Sequence, residues 1–117
     1  MANSILREKS KDFAKSIVLL CREMKQQKIE YALVDQLLRS GTSVGANIHE
    51  ARYAQGTKDF ISKFEIALKE CNETEGWLQL LFNTHIIDEE THKKHRNLCG
   101  RIRRMLIASC KTLKEKL

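Results

Sequence analysis

Residues 57–83 read TKDFISKFEIALKECNETEGWLQLLFN. Apolar side chains recur along this stretch at steps of three, four or seven residues, the spacing that keeps them on one face of an α-helix. The positions in register are Phe60, Phe64, Ala67, Cys71, Leu78 and Phe82, with Leu68, Trp77 and Leu81 beside them. The stretch therefore predicts a long amphipathic helix, the most apolar of the chain, with Thr57 as its N-cap and its end near Asn83.

Three further segments show the same helical spacing, and short polar or glycine-containing stretches near residues 28–30, 54–56 and 83–85 separate the four. The positions in register are Leu6, Phe13, Ile17, Leu20 and Met24 in the first segment; Leu33, Leu37, Gly41, Val44, Ile48 and Ala51 in the second; and Leu98, Ile102, Met105, Ser109 and Leu113 in the fourth, which starts after Asp88. The chain has no proline to break these helices.

Four helices of similar length joined by short connections predict one all-α domain over residues 1–117, an antiparallel up-down-up-down four-helix bundle. Ile5, Val18, Ile61 and Ile107 fall off the apolar faces and are expected on the surface, which favours assembly into an oligomer. Because no apolar run is long enough for a signal peptide or a membrane span, we expect a soluble, cytoplasmic protein with no membrane partner. Its four cysteines lie far apart and are expected to be free, buried thiols.

Positive charge is concentrated at the two ends of the chain. The net charge is +6, and counting by segment places +4 in residues 4–28 and +5 in residues 88–117, against −1 and −2 in the second and third segments. Six cations in the last segment have no acidic residue between them: Lys93, Lys94, Arg96, Arg101, Arg103 and Arg104. If the first and last helices are neighbours, one side of the molecule is basic.

Two interpretations of this cluster stay open. A run of Lys and Arg is often only a solvated helix face, whereas several cations without acidic neighbours also suit a surface that binds the phosphates of RNA or DNA. No exposed aromatic residue is evident for base stacking, because Phe13, Phe60, Phe64 and Phe82 all fall on apolar faces. Any binding is then expected to involve mainly the nucleic-acid backbone.

No pattern predicts catalytic residues, a metal site or a cofactor. His92, His95 and Cys99 share one helical stripe, with Glu89 one turn earlier. Di-iron bundles need a Glu-x-x-His pair on each of two helices, and the chain has no second such pair. Ser40 and Ser43 have no histidine near them in sequence except His49, and the glycines form no phosphate-binding loop.

A polar stripe accompanies the apolar face of the second segment, formed by Gln36, Ser40, Ser43, Asn47 and Glu50. It predicts a hydrogen-bonded interface between helices or subunits, with Gly41 and Gly45 allowing close backbone approach. Glu75 falls near the apolar face of the third segment. If it is buried, it is expected to pair with Arg39 or to cap the polar stripe; the alternative is simple exposure at the edge of the apolar face.

The stretch QLLRSGTSVGANIHEA at residues 36–51 closely resembles the signature of the bacterial four helix bundle protein family, which is encoded in intervening sequences of 23S ribosomal RNA genes. Residues 59–61 (DFI), 66–75 (IALKECNETE) and 77–78 (WL) resemble its second block, so the likeness covers nearly the whole chain. Carried over by position, the signature residues are Arg39, Ser43, Asn47 and Glu50, with structural roles. Gly45 stands where many relatives have proline, and His49-Glu50-Ala51 where many have Ala-Glu-Gly, so the resemblance does not extend to every detail of the second helix.

The resemblance implies an antiparallel bundle that assembles into a homopentamer in several relatives. It also implies kinship with the accessory variability determinant of diversity-generating retroelements, a basic pentamer that binds nucleic acid and a partner reverse transcriptase. The leading hypothesis is therefore a non-enzymatic, homo-oligomeric bundle that binds RNA or DNA through Lys93–Arg104. The alternative is a protein-interaction or scaffold bundle that does not bind nucleic acid.

Overall fold

A computed structural model describes residues 2–117 and shows four α-helices. They are α1 (Ala2–Gln26), α2 (Tyr31–Ala51), α3 (Thr57–Asn83) and α4 (Glu89–Glu115), and no β-strand occurs within these residues. The molecule measures 47 × 22 × 20 Å, and its length follows from helices of up to 27 residues that rise about 1.5 Å per residue. The predicted all-α fold is confirmed. None of the four helices, as far as the chain is described, has the apolar stretch that a bilayer crossing requires.

Contacts between neighbouring helices show that each runs antiparallel to the next. Along α1 and α2, Gly41 lies against Ile17 while Gly45, further along α2, lies against the earlier residue Ser10. Along α3 and α4, Cys71 meets Cys99 and the earlier Glu65 meets the later Lys114. Helix α1 also packs on α4, whereas between residues 2 and 117 no Cα atoms of α1 and α3, or of α2 and α4, approach within 8 Å. The helices thus form a four-sided bundle in chain order.

Two of the three connections close a helix with a residue of positive φ. Lys28 (φ 58°) and His85 (φ 62°) follow the ends of α1 and α3. After Lys28, the amide of Ile29 donates to the carbonyl of Met24 at 3.0 Å, and after His85 the amide of Ile86 donates in the same way to Leu81 at 2.9 Å. This is the Schellman ending of a helix, in which the apolar residue after the turn packs back on the core.

The start of α3 lies one residue away from the predicted position. Gly56, not Thr57, is the N-cap, and Thr57 is the first helical residue. The backbone of Gly56 has φ 103°, a conformation that residues with a side chain rarely adopt, so the chain turns into the helix at this glycine. Asp59 supports the turn by accepting a hydrogen bond from the Gln55 amide at 2.9 Å.

The core contains most of the side chains that the helical spacing predicted in α1, α2 and α3. In α4 the predicted face is offset from the buried one: Leu98, Met105, Ser109 and Leu113 are only half-buried, and the buried residues beside Ile102 are His92, His95, Cys99, Leu106 and Cys110. The largest fully buried members of the core are Phe13, Phe64, Leu6, Ile17, Met24, Leu37, Ile48, Leu78, Leu81, Ile102, Leu106 and Val34. The expectation for Ile61 is wrong, because only 5% of this residue is exposed. It lies three residues before Phe64 and seven before Leu68, on the inner side of α3. Ile5 and Ile107 are exposed as expected, and Val18 is half-buried.

All four cysteines are free and buried. Burial raises the pKa of the Cys21 thiol to about 11 and also raises that of Cys110. Cys99 donates to the carbonyl of Cys71 at 3.5 Å, and its hydrogen bond with Cys71 and its burial both raise its pKa. The thiols of Cys21, Cys99 and Cys110 therefore stay protonated at neutral pH. All four cysteines pack as small apolar groups, as predicted.

Candidate nucleic-acid interface

The six predicted cations all lie on α4, on the side turned away from the core. Asp88 caps the helix by accepting a hydrogen bond from the Thr91 amide at 2.8 Å, and hydrogen bonds from the Thr91 side chain and backbone lower the pKa of its carboxyl. His92, His95, Cys99, Ile102 and Leu106 fill the inner side of the helix. Lys93 and Arg104 are eleven residues apart, so the cations occupy about 16 Å of helix.

Five of the six cations are exposed and unpaired, and we name this set the α4 basic face. Its members are Lys93, Lys94, Arg96, Arg101 and Arg104, and no carboxylate of the described chain lies within 4 Å of their charged atoms. Arg103 differs, because it is half-buried and its Nε donates to Glu75 Oε1 at 3.1 Å. The prediction that Glu75 pairs with Arg39 is wrong: Glu75 lies on the side of α3 that faces α4, whereas Arg39 approaches the side that faces α2.

A shallow depression of about 320 Å³ lies within the α4 basic face. Gly100 leaves it open, because a β-carbon at this position would lie 3.4 Å from Arg104 Nη1 and 3.8 Å from Arg103 Nη2. Arg96 and Arg101 also line it, and Glu75 is its one acidic residue. The guanidinium groups around this hollow have the charge and the paired donors that bind phosphate oxygens.

In the opposite half of the bundle, the arginine Arg39 is neutralised by two carboxylates. Arg39 on α2 donates to Glu70 at 3.1 Å and also to Glu73, both on α3. Trp77 Nε1 donates to the same Glu73 carboxylate at 3.1 Å. Because α1 packs beside α4, the two cation-rich helices share one side of the bundle.

The four signature residues lie on α2, away from the α4 basic face. The Ser43 hydroxyl donates to the Arg39 carbonyl at 2.7 Å, Asn47 Nδ2 donates to the Ser43 carbonyl at 2.9 Å, and Glu50 is exposed. The hydrogen bonds of the predicted polar stripe, from Gln36 to Asn47, thus run along α2 and not to another helix. Short Ser and Asn side chains reach the carbonyl one turn back more readily than they reach a neighbouring helix.

The two glycines of α2 have the predicted effect on packing. A β-carbon on Gly41 would lie 2.8 Å from Ile17 Cγ2, and one on Gly45 would lie 3.4 Å from the Ser10 carbonyl oxygen. Both approaches are to α1, so these glycines set the distance between α1 and α2.

His92, His95 and Cys99 share a buried stripe, and each has a structural contact. The His92 ring stacks on Phe82 with centroids 4.6 Å apart, and burial, with a smaller effect of Arg96, lowers its pKa. His95 Nδ1 donates to the Thr91 carbonyl at 2.8 Å. No group of three metal-binding side chains comes together among residues 2–117.

Two exposed aromatic residues escaped the sequence analysis. Tyr31 is 68% exposed at the start of α2, and Tyr53 is 71% exposed just after its end. Unlike the four phenylalanines, neither tyrosine falls on an apolar face. The signal for the tyrosines was their position at the helix ends, outside the register of Leu37, Val44 and Ile48.

Comparison with known proteins identifies the family. The family described as 23S rRNA-intervening sequence protein matches residues 2–108. The chain belongs to this family. A crystal structure of a protein of unknown function from the S23 ribosomal protein family of Bacteroides thetaiotaomicron superposes with a TM-score of 0.92. That protein is 44% identical to this chain, and the match covers 95% of this chain and 99% of the other. No curated protein matches the sequence.

Membership of the 23S rRNA-intervening sequence family confirms the resemblance found at residues 36–51 and 59–78. At 44% identity over nearly the full length, the Bacteroides protein also shares the four-helix fold.

Proposed function

We propose that this chain is a non-enzymatic, homo-oligomeric accessory protein that binds the backbone of RNA or DNA through the α4 basic face. The observation that carries the proposal is the set of five exposed, unpaired cations within about 16 Å of one helix. Each of these cations is free to replace a counterion on a phosphate, which is the main source of sequence-independent affinity for nucleic acid.

The depression at Gly100 gives this surface a defined position for one phosphate. Arg104 and Arg103 extend over the Gly100 backbone, and the planar guanidinium group can donate two parallel hydrogen bonds to phosphate oxygens. The cations on either side then contact the neighbouring phosphates. The proposed activity is binding alone and requires no chemical step.

The proposed assembly is a ring of identical subunits, with five as the number that the family resemblance implies. Ile5, Leu19 and Ile107 support it, because they are large apolar side chains that a single bundle leaves exposed. Light scattering on the size-exclusion peak tests the number: a mass of five chains is expected, and a monomer contradicts the proposal.

Charge reversal tests the nucleic-acid surface. The double variant Arg101→Glu/Arg104→Glu is expected to weaken binding to structured RNA and to duplex DNA by about 100-fold, since each change removes a phosphate contact and adds repulsion. The slope of log affinity against log salt should fall by about two. Fluorescence anisotropy over a salt series measures both quantities.

The matched control reverses two exposed lysines of α3, in the variant Lys58→Glu/Lys69→Glu. It changes the net charge by the same amount but leaves the α4 basic face intact, so we expect less than about a threefold loss of affinity. Equal losses in the two variants would show that only net charge matters. Absence of salt-sensitive binding by the unmodified protein would refute the proposal.

A scaffold that binds other proteins is the second candidate. It is favoured by Ile66 and Leu80, two exposed apolar residues fourteen positions apart on the outer side of α3. An oligomer that is indifferent to nucleic acid, and whose partner pull-down survives the α4 charge reversal, would favour this candidate.

A further inference from the structure

Helix α1 carries a second set of cations, on the side that borders α2. Arg7, Lys11 and Lys15 follow one another at steps of four, and Arg22 and Lys25 continue the same stripe two turns later. All are exposed except Arg7, which is half-buried. No carboxylate lies within ion-pair distance of any of them in the part of the chain that the structure covers. Among the acids of α1, Glu8 and Asp12 border the stripe, three residues before Lys11 and Lys15, and Glu23 lies further round the helix.

The two exposed tyrosines flank this stripe from α2. Lys25 Nζ lies 5.5 Å from the centroid of the Tyr31 ring, which places Tyr31 beside the C-terminal end of the stripe. At the other end, Tyr53 lies edge-on to His49 with ring centroids 5.7 Å apart. Tyr31 is the first residue of α2 and Tyr53 follows its last, so the length of this helix, about 30 Å, separates the two tyrosines.

A groove lies between α1 and α2 near His49. Gly45 brings α2 close to the backbone of Ser10, and the groove beside them has a volume of about 230 Å³. Arg7 and Lys11 line its α1 side, and His49 lines its α2 side. Asp35, half-buried on α2, is the acid that faces this side of α1 near Lys25.

We infer that this α1–α2 face binds single-stranded nucleic acid, with the stripe of cations on the phosphates and Tyr31 and Tyr53 stacked on unpaired bases. A row of cations suits any nucleic acid, but an exposed aromatic ring is useful only where a base is unstacked from its neighbours. A duplex covers the faces of its bases, so rings at the two ends of a basic stripe select the single strand. The inference rests on the proposed function, to which it adds the class of nucleic acid and a second contact surface.

The test compares two probes: an oligothymidylate of about twenty nucleotides, which has no secondary structure, and a mixed-sequence duplex of the same length. The double variant Tyr31→Ala/Tyr53→Ala should lose at least about tenfold in affinity for the single strand, since stacking on an aromatic residue contributes strongly to binding. Its affinity for the duplex should stay within about twofold of the unmodified protein, because no duplex base reaches the rings. The variant Tyr31→Phe/Tyr53→Phe should keep single-strand binding, because phenylalanine retains the stacking surface.

The outcomes separate this inference from the proposed function. If the alanine variant binds both probes as the unmodified protein does, or loses both equally, the α1–α2 inference is overturned while the α4 basic face is unaffected. If Arg101→Glu/Arg104→Glu leaves both probes bound but the alanine variant loses the single strand, the α4 proposal fails and the α1–α2 face stands. If the unmodified protein binds neither probe, both are overturned. Both tyrosines are exposed, so the variants should fold, which circular dichroism verifies.

Discussion

The α1–α2 seam and the α3–α4 seam hold the same bundle together by different means. In the α1–α2 seam, Gly41 and Gly45 bring the α2 backbone against Ile17 and Ser10. In the α3–α4 seam, ion pairs bridge the helices, because Arg103 and Lys114 pair with glutamates of α3. A buried thiol donates to a backbone carbonyl in both seams, Cys21 to Val34 and Cys99 to Cys71. No ion pair joins α1 to α2 over residues 2–117.

This difference shows what each seam tolerates. A seam that depends on missing side chains is sensitive to added atoms, because a packed interior has little space to absorb them. A seam that side chains bridge is sensitive to the loss or protonation of a partner, and its exposed ion pairs contribute little. The arrangement also affects binding, since the cations of the α1–α2 seam stay free while Arg103 of the α3–α4 seam does not.

Replacing a tightly packed glycine and an unobstructed glycine by alanine should give the largest contrast in stability. Gly41→Ala is expected to lower the free energy of unfolding by about 1–3 kcal/mol, because its β-carbon would lie 2.8 Å from Ile17 Cγ2. Gly76→Ala should instead raise it by up to about 1 kcal/mol, since nothing lies within 4 Å of the added carbon and alanine favours the helix. Urea unfolding monitored by circular dichroism measures both.

The Gly76 variant serves as the control for helix propensity, which rises equally in both substitutions. If Gly41→Ala were as stable as the unmodified protein, Ile17 would be able to move aside, and the α1–α2 seam would not depend on close backbone approach.

Many of the core residues on both sides of this comparison could be predicted from the sequence. Helical spacing placed Ile17, Phe64, Leu78 and Ile102 in the core, because the period of a helix alone decides which residues share a face. It could not pair Glu75 with Arg103, since that choice depends on which neighbouring helix each edge of α3 meets. The spacing also misjudged Ile61, because residues near the end of an apolar face are buried or exposed according to the neighbouring helices.

The candidate site was predicted less completely than the fold. All six α4 cations were predicted from their order in the chain. The sequence did not reveal that Arg103 forms an ion pair with Glu75, or that a hollow lies at Gly100 among the arginines. The stripe on α1 was counted only as net charge. Its relation to Tyr31 and Tyr53 depends on how α1 and α2 lie side by side, which composition cannot show.

Acid should weaken the α3–α4 seam through His92. Burial lowers the pKa of this histidine below its ordinary value of 6.5, so the unfolded chain takes up a proton before the folded protein does. The contribution of His92 is complete above about pH 6.5 and is lost as the pH falls through the lower pKa of the folded state. Unfolding in urea between pH 7 and pH 5 should therefore show a fall in stability that the variant His92→Gln reduces.

His49 supplies the control for this titration, because it is exposed on α2 and away from the α3–α4 seam. The variant His49→Gln should keep the full pH dependence of the unmodified protein. If the two variants behaved alike, the loss of stability in acid would come from groups other than His92.

The smallest expected effect concerns the ion pair between Glu75 and Arg103. The variant Glu75→Gln should change the free energy of unfolding by no more than about 1 kcal/mol, because both side chains are partly exposed to water. It should also release Arg103 into the α4 basic face and raise the affinity for nucleic acid a few-fold. Anisotropy titrations at low salt measure this gain.

Glu73→Gln is the matched control, because it makes the net charge more positive by the same one unit and lies on the same helix. In this variant Arg39 on α2 keeps its ion pair with Glu70, so no arginine is released. The gain in affinity should therefore be smaller than in Glu75→Gln. Equal gains would mean that the nucleic acid responds to the total charge of the bundle and that the position of Arg103 beside Gly100 has no special role.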